Sequence, residues 1–343
     1  MFFLVAAGEL FPLAAAEEAP FLSISQLREF PNEEGLRIEA RTSGIINHIS
    51  DGQTEIALQD GSAAIWMPMH VNRPRDLRLG QKVEVGGYLQ RGQFAPDFIV
   101  QSLEVIGEPG LPEPARVSGS ELLSGSYDCR YVELSGIVRA VHPWSRMGRD
   151  HAIMHLDANG TRIFVLTPSD QLDRLSQLVD GVVRIRGIDA VAVNEAGQVL
   201  TAQMRVTNPE FIEVVEPPRA VSSLPLTPLK GLLGHPVSAA PGHRIRTRGT
   251  VTHAQNNESF QIQDEEHGVR VRTVGKVEPP ALNSVVEVLG FPVPGPLSPT
   301  LEDGQFQVLG DSNALEPVVM TTARDALFYE GRLVQVTGRL IAT

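Results

Sequence analysis

Cysteine is nearly absent: Cys129 stands alone in 343 residues, so no internal disulfide can staple this chain. It lies in "YDCRYVEL", beside an alternating stretch, and reads as a small core or turn residue. No run of about 18 apolar residues occurs, so no segment reads as a membrane-spanning helix. Aromatics make up only 6% of the residues. Positive charge is in deficit, with 29 Lys and Arg against 41 Asp and Glu and a net charge of −12. A chain so acidic repels phosphate backbones unless a local basic stripe overrides the total, and none is visible. Nucleic acid is therefore not expected as a partner.

Catalytic constellations are missing too. There is no phosphate-cradling glycine loop and no nucleophile elbow. His151 and His155 in "HAIMH" share a strand face with some metal reach, but no cysteine or acidic cluster accompanies them. The expectation is a non-enzyme with no metal and no cofactor. "DGSAA" and "LEDGQ" place Asp60 and Asp303 beside glycines, which reads as hairpin turn chemistry.

Glycine and proline are plentiful, at 31 and 25, and spread along the whole chain. Many turns mean many short elements, which favours an all-β protein. The chain also repeats itself. "VEVGGYLQRGQFAPDFIVQSLEVIG" from Val83 aligns without a gap with "VEVLGFPVPGPLSPTLEDGQFQVLG" from Val286. Upstream, "IALQDGSAAIWM" from Ile56 lies over "FQIQDEEHGVRV" from Phe260. A third copy runs through "RYVELSGIVRAV", "AIMHLDANGTRIFVL" and "GVVRIRGIDAVAV", and "YEGRLVQVTGRL" from Tyr329 begins a fourth.

Each unit opens on an alternating strand interrupted by glycine: Gly44, Gly136, Gly249 or Gly338. Val132, Leu134 and Ile137 alternate with Glu133 and Ser135, the period of a strand with one buried face. A first strand serving both sides of a small barrel must bend hard, and glycine tolerates the bend. In the middle unit "SDQLDRLSQLVDG" predicts a helix with Leu172, Leu175, Leu178 and Val179 on one face, capped by Ser169. Five strands, a bent first strand and a connecting helix before the fourth describe tandem OB-fold-like barrels. A generic β-sandwich array is the alternative.

The expected organisation is a signal-like or disordered terminus at 1–20, then OB-like units at 21–110, 115–216 and 219–312, and an incomplete fourth unit at 317–343. Proline-rich joints at 108–117, 215–228 and 313–319 separate the units and suggest fixed orientations. The terminus "MFFLVAAGELFPLAAAEEAP" resembles a secretory leader with small residues before Glu17, although Glu9 interrupts it and no basic region opens it. A strand such as "GRLVQVTGRLIAT" needs partners to cover Val334, Val336 and Leu340, so the fourth unit is expected to be a fragment.

The cadence "GII…LQDG…VEVGGY…GQFAP…VIG", with "GTV…IQDEEHG…VEVLGF…GPLSP…VLG", resembles the extracytoplasmic OB-like repeats of bacterial sensor histidine kinases. The middle unit lacks the "QDG" and "FAP" signatures. The resemblance implies a periplasmic or extracellular sensory region, binding a small ligand or a protein. It also implies a membrane attachment and a kinase module that these residues do not include. A secreted spacer or adhesion array, or a single-stranded nucleic-acid binder, is the alternative.

Candidate ligand contacts follow from the usual binding face of such barrels, strands two and three with their flanking loops. In the first unit these are His48, Gln59, Trp66 and Tyr88. In the third they are His253, Asn256, Asn257, Gln261, Gln263, Arg270 and Arg272, with Val269 and Val271 turned inward.

Overall fold

The computed structural model describes residues 19–69, 76–146, 149–194, 198–233, 242–295, 298–312 and 314–339. The leader-like stretch at 1–18 lies outside the described residues. The chain forms two compact units, residues 1–111 and 112–343.

In the first unit a short helix, α1 (Ile24–Arg28), precedes β1 (Ile38–Ile49), β2 (Glu55–Gln59), β3 (Ala64–Pro68), β4 (Lys82–Gln90) and β5 (Asp97–Gly107). The strand order is β3-β2-β1-β4-β5, and a parallel bridge from Met69 to Val100 joins the two ends. β1 changes partner along its length, pairing with β4 as far as Ile45 and with β2 from there on. The switch falls at Gly44, where a Cβ would stand 2.9 Å from the carbonyl oxygen of Gln59. Two residues later a bulge between Ile46 and His48 sharpens the turn.

The second unit holds two barrels. The first of these is built from β6 (Ala115–Arg116), α2 (Gly119–Leu122), β7 (Tyr131–Arg146), β8 (Arg149–Ala158), β9 (Thr161–Pro168), α3 (Leu172–Ser176), β10 (Val182–Asp189), β11 (Ala192–Val193), β12 (Val199–Arg205) and β13 (Ile212–Glu216). β12 pairs in parallel with β9 and antiparallel with β10, which closes the barrel, while β13 lengthens the sheet beyond β10. The other is built from α4 (Lys230–Leu233), β14 (Ile245–Gln255), β15 (Ser259–Gln263), β16 (Gly268–Thr273), β17 (Ser284–Val293) and β18 (Thr300–Asp311), closed in the order β14-β15-β16-β18-β17. The bend and bulge recur in both: Gly136 precedes a bulge between Val138 and Ala140, and Gly249 one between Val251 and His253. The protein is all-β, with tandem OB-fold-like barrels and short helices.

A second device recurs in the barrels. A short extended segment pairs in parallel with the start of each first strand: Phe21 with Arg41, Ala115–Arg116 with β7, and Leu226 with Arg246. A one-turn helix follows, and apolar side chains in it or just before it join the barrel core: Ile24 and Leu27, Leu122, then Leu229 and Leu232. Capping boxes start the first two, Ser23 with Gln26 and Ser118 with Glu121, the signature S-x-x-[EQ]. The same order appears after the third barrel, where β19 (Val318–Val319) pairs in parallel with β20 (Val334–Gln335) around a 3-10 helix, Ala323–Tyr329, begun by Thr322 and Asp325.

The predicted connecting helix is real but differs in its start. Residues Ser169–Gln171 form a 3-10 turn with Pro168 in the cap position, and no side-chain hydrogen bond caps it. Of the expected apolar face only Leu175 is fully buried, with Leu172, Leu178 and Val179 packed at its margin. Cys129 is buried at a positive φ of 64°, a turn residue as read.

Candidate functional site

The outward faces of the barrels follow from register. Beyond the bulge of β1, one cross-strand row runs His48, Ala57, Trp66. The two rings stack with centroids 5.5 Å apart and planes 29° apart. His48 is nevertheless buried, at 6% exposure, and Trp66 is partly exposed. Gln59 sits in a different row and accepts a hydrogen bond from Asn47 Nδ2 at 3.1 Å. Tyr88 belongs to β4, opposite Glu39, and carries the guanidinium of Arg37 at 3.9 Å over its ring. The structure thus brings His48 and Trp66 together and leaves Gln59 and Tyr88 apart from them.

In the third barrel the matching row is His253, Gln261, Arg270. Val269 and Val271 are fully buried and Arg270 and Arg272 exposed, as alternation predicts. Arg272 sits one row on from Arg270, opposite Ser259, and its Nη1 lies 3.8 Å from Glu302. Asn256 and Asn257 lie in the 3-10 turn between β14 and β15, away from that row. Gln263 is not a surface group: it is buried, and its Oε1 accepts from the backbone N–H of Leu333 at 2.7 Å.

Among the described residues the second barrel carries the face richest in rings; from sequence it offered only the His151 and His155 pair, read there as a weak metal possibility. β7 and β8 pair Trp144 with His151, His142 with Ile153 and Ala140 with His155, and β8 and β9 pair His155 with Phe164. Five rings therefore share one face. His155 meets Phe164 edge-on at 4.8 Å and His142 at 4.9 Å, while Trp144 and His151 lie 5.9 Å apart. All five are partly exposed. His142 Nε2 and His155 Nε2 are 3.0 Å apart. Burial, then the charges of His142 and Arg162, push His155 down to about 4, so its ring is neutral near physiological pH. Among the described residues no group of three or more potential metal ligands occurs.

Two guanidiniums edge this face. Arg162 Nη1 approaches His155 Nδ1 at 3.3 Å. The same guanidinium binds Asp303 through two nitrogens, at 3.0 and 2.9 Å, and Glu302 at 3.0 Å. Arg139 is the bulge residue of β7 and is 4% exposed; it donates to Asp157 at 2.9 Å and to Asp303 at 3.2 Å. Its guanidinium also lies 4.2 Å from the Phe291 ring centroid. Burial works against the charged form of Arg162, but Asp303, Glu302 and Asp157 outweigh it and hold the proton more firmly than usual. Asp303 is thus not the hairpin turn residue that "LEDGQ" suggested. It lies within β18 at a left-handed φ of 53° and joins two barrels. Asp60 does hold a turn, accepting from the backbone of Ser62 and Ala63.

No family model matches the chain, and no curated protein matches it. Solved structures similar to it include a replication protein A heterotrimer bound to ssDNA, at 11% identity over 80% of this chain and 78% of that one, with a TM-score of 0.23. Fission yeast Pot1 with ssDNA is similar at 10% identity, over 59% of this chain and 90% of that one, with a TM-score of 0.27. A murine DNA-binding protein bound with dsDNA is similar at 12% identity, over 52% and 98%, with a TM-score of 0.23. The expectation that nucleic acid is not a partner is withdrawn: these three similar structures were solved with DNA, which runs against it. That expectation rested on the net charge of −12, which averages over the whole chain and says nothing about one ring-lined face.

Proposed function

We propose that this chain is a non-catalytic OB-fold binding protein that holds single-stranded nucleic acid across the outer face of β7, β8 and β9. The observation that supports this most is the gathering of Trp144, His142, His151, His155 and Phe164 on one face, beside Arg162. Every base has a flat π-face, so ring platforms hold single strands with little regard to sequence, at about 1–3 kcal/mol per stacked base. The aromatic share of 6% is low and counts only Trp144 and Phe164 of these rings; three histidines complete the platform. With carboxylates so near the arginines, stacking rather than charge carries the binding, and the salt dependence is shallow.

The test is fluorescence anisotropy of labelled oligothymidylate titrated with the full chain. Binding is expected, with Trp144→Ala and Phe164→Ala each weakening it about tenfold. Absence of binding, or affinity indifferent to both substitutions, overturns the reading. A second reading, an extracytoplasmic sensory region, is supported by the repeat cadence of "VEVGGY…GQFAP" and "VEVLGF…GPLSP". Its test is a reporter fused behind residue 20 that is active only outside the cytoplasm, whose silence counts against export.

A further inference from the structure

The acidic corner of the third barrel occupies two guanidiniums beside the ring face, those of Arg139 and Arg162. In the first barrel the equivalent positions of β5 are Ile99 and Val100, opposite Tyr88 and Gly87. In the third, Glu302 stands opposite Phe291, with Asp303 next to it. The strand register is the same and the chemistry is inverted, from two buried apolar side chains to two carboxylates aimed at another barrel.

Closed, the corner sets three guanidiniums, Arg139, Arg162 and the outlying Arg272, against three carboxylates, Asp157, Glu302 and Asp303, with His155 neutral beside them. Local charge is then balanced, every carboxylate is already matched by a guanidinium, and a phosphate meets no net attraction. Without Glu302 and Asp303 the same place holds three guanidiniums and one carboxylate, and it becomes positive. Arg139 is more than nine-tenths buried, and its Nη2 has no hydrogen-bond partner, so this arginine has donor capacity that the closed contact leaves unused. A guanidinium that grips a carboxylate through two nitrogens fits a phosphate in the same way.

We infer that Arg162, with Arg139 behind it, is the phosphate subsite of the ring-lined face, and that Glu302 and Asp303 close it as a built-in competitor. The inference rests on the proposed function for the identity of the ligand. A strand that stacks on the rings must displace the acidic corner to seat its backbone, so only the open fraction of molecules binds fully. Apparent affinity falls by that fraction, and a site open one-tenth of the time binds about tenfold more weakly than an open one.

The experiment compares the wild-type full chain with Glu302→Gln/Asp303→Asn, and with that pair combined with Arg162→Gln. Asparagine tolerates the left-handed φ of 53° at position 303, so the backbone there is kept. Oligothymidylate is expected to bind the double variant about tenfold more tightly than wild type, and the added Arg162→Gln to cancel the gain. Inorganic pyrophosphate, followed by calorimetry, is expected to bind the double variant and not the wild type. If oligothymidylate binds the wild type and the double variant equally, the inference fails while the proposed function stands. If no oligonucleotide binds any form, the proposed function fails, and pyrophosphate alone decides: binding to the double variant that depends on Arg162 upholds the subsite, and no binding overturns it. Should Asp303→Asn prevent folding, Glu302→Gln alone is expected to shift affinity in the same direction, and no shift overturns the inference.

Discussion

Beyond the bulge of its first strand, the first barrel sets His48, Ala57 and Trp66 in one row, while the second sets Ala140, His155 and Phe164 in the corresponding row. The bulge residue itself is Asn47 in one and Arg139 in the other. On the fourth strand, Val83 lies opposite Gly44 and Val183 opposite Gly136, so six residues further on Leu89 and Asp189 occupy the same slot. Both are fully buried. The backbone devices that close a small barrel are thus held fixed: the bend, the bulge, the capped plug helix. Side chains on the outer face and at the barrel's margin are free to differ, and there the second barrel has acquired its rings and its charges.

The largest effect is expected where that shared frame is broken. A Cβ at Gly136 would stand 2.5 Å from Asp157 O and 2.8 Å from Leu156 Cγ, at Gly44 2.9 Å from Gln59 O, and at Gly249 no nearer than 3.1 Å to Ile262 Cβ. Alanine is expected to cost about 3 kcal/mol at position 136, about 2 at 44 and about 1 at 249. The first two barrels can be watched separately, because the chain has two tryptophans, Trp66 in the first and Trp144 in the second. In a Trp66→Phe background, urea unfolding followed by Trp144 fluorescence should move with Gly136→Ala and stay put with Gly44→Ala. Equal shifts for both would show that the barrels do not unfold as the frame implies.

A smaller effect sharpens the contrast between Leu89 and Asp189. Burial, then the negative charge of Asp128, pushes the Asp189 carboxyl up to about 7. The folded state keeps a proton that the unfolded chain releases at the ordinary carboxylate pKa. Stability from this group is therefore fully present in acid and is lost as pH rises from that value through about 7. Asp189→Asn removes the loss and should stabilise the second barrel by roughly 2 kcal/mol in mild alkali, with little change in acid. Thermal unfolding across that pH range reads it out, and parallel curves for wild type and variant would contradict it.

Much of the frame was legible because closure leaves a mark on single residues. Gly44, Gly136 and Gly249 announce the bend, and the alternation around Val269 and Arg270 announces which way strands face. The plug helices were also legible in principle, through Ser23 with Gln26 and Ser118 with Glu121, since a capping box is a spacing. The ring face was not, because its members come from three strands and meet only once register is known. A pairing of Arg146 with Arg149 is what sets Trp144 against His151, and a bulge at Arg139 then decides which residue faces His155. Asp303 was hidden for a different reason. Next to Gly304 it looks like turn chemistry, and its partners Arg139 and Arg162 are in another barrel.

Photocrosslinking of iodouridine-substituted oligothymidylate to the full chain, followed by mapping of the modified peptides, tests the account most directly, because it distinguishes one barrel's face from another's. The account predicts adducts at Trp144, His151 or Phe164, enriched when Glu302 and Asp303 are neutralised. Adducts confined to the Trp66 face of the first barrel or to Arg270 and Arg272 of the third, or none at saturating oligonucleotide, would contradict it.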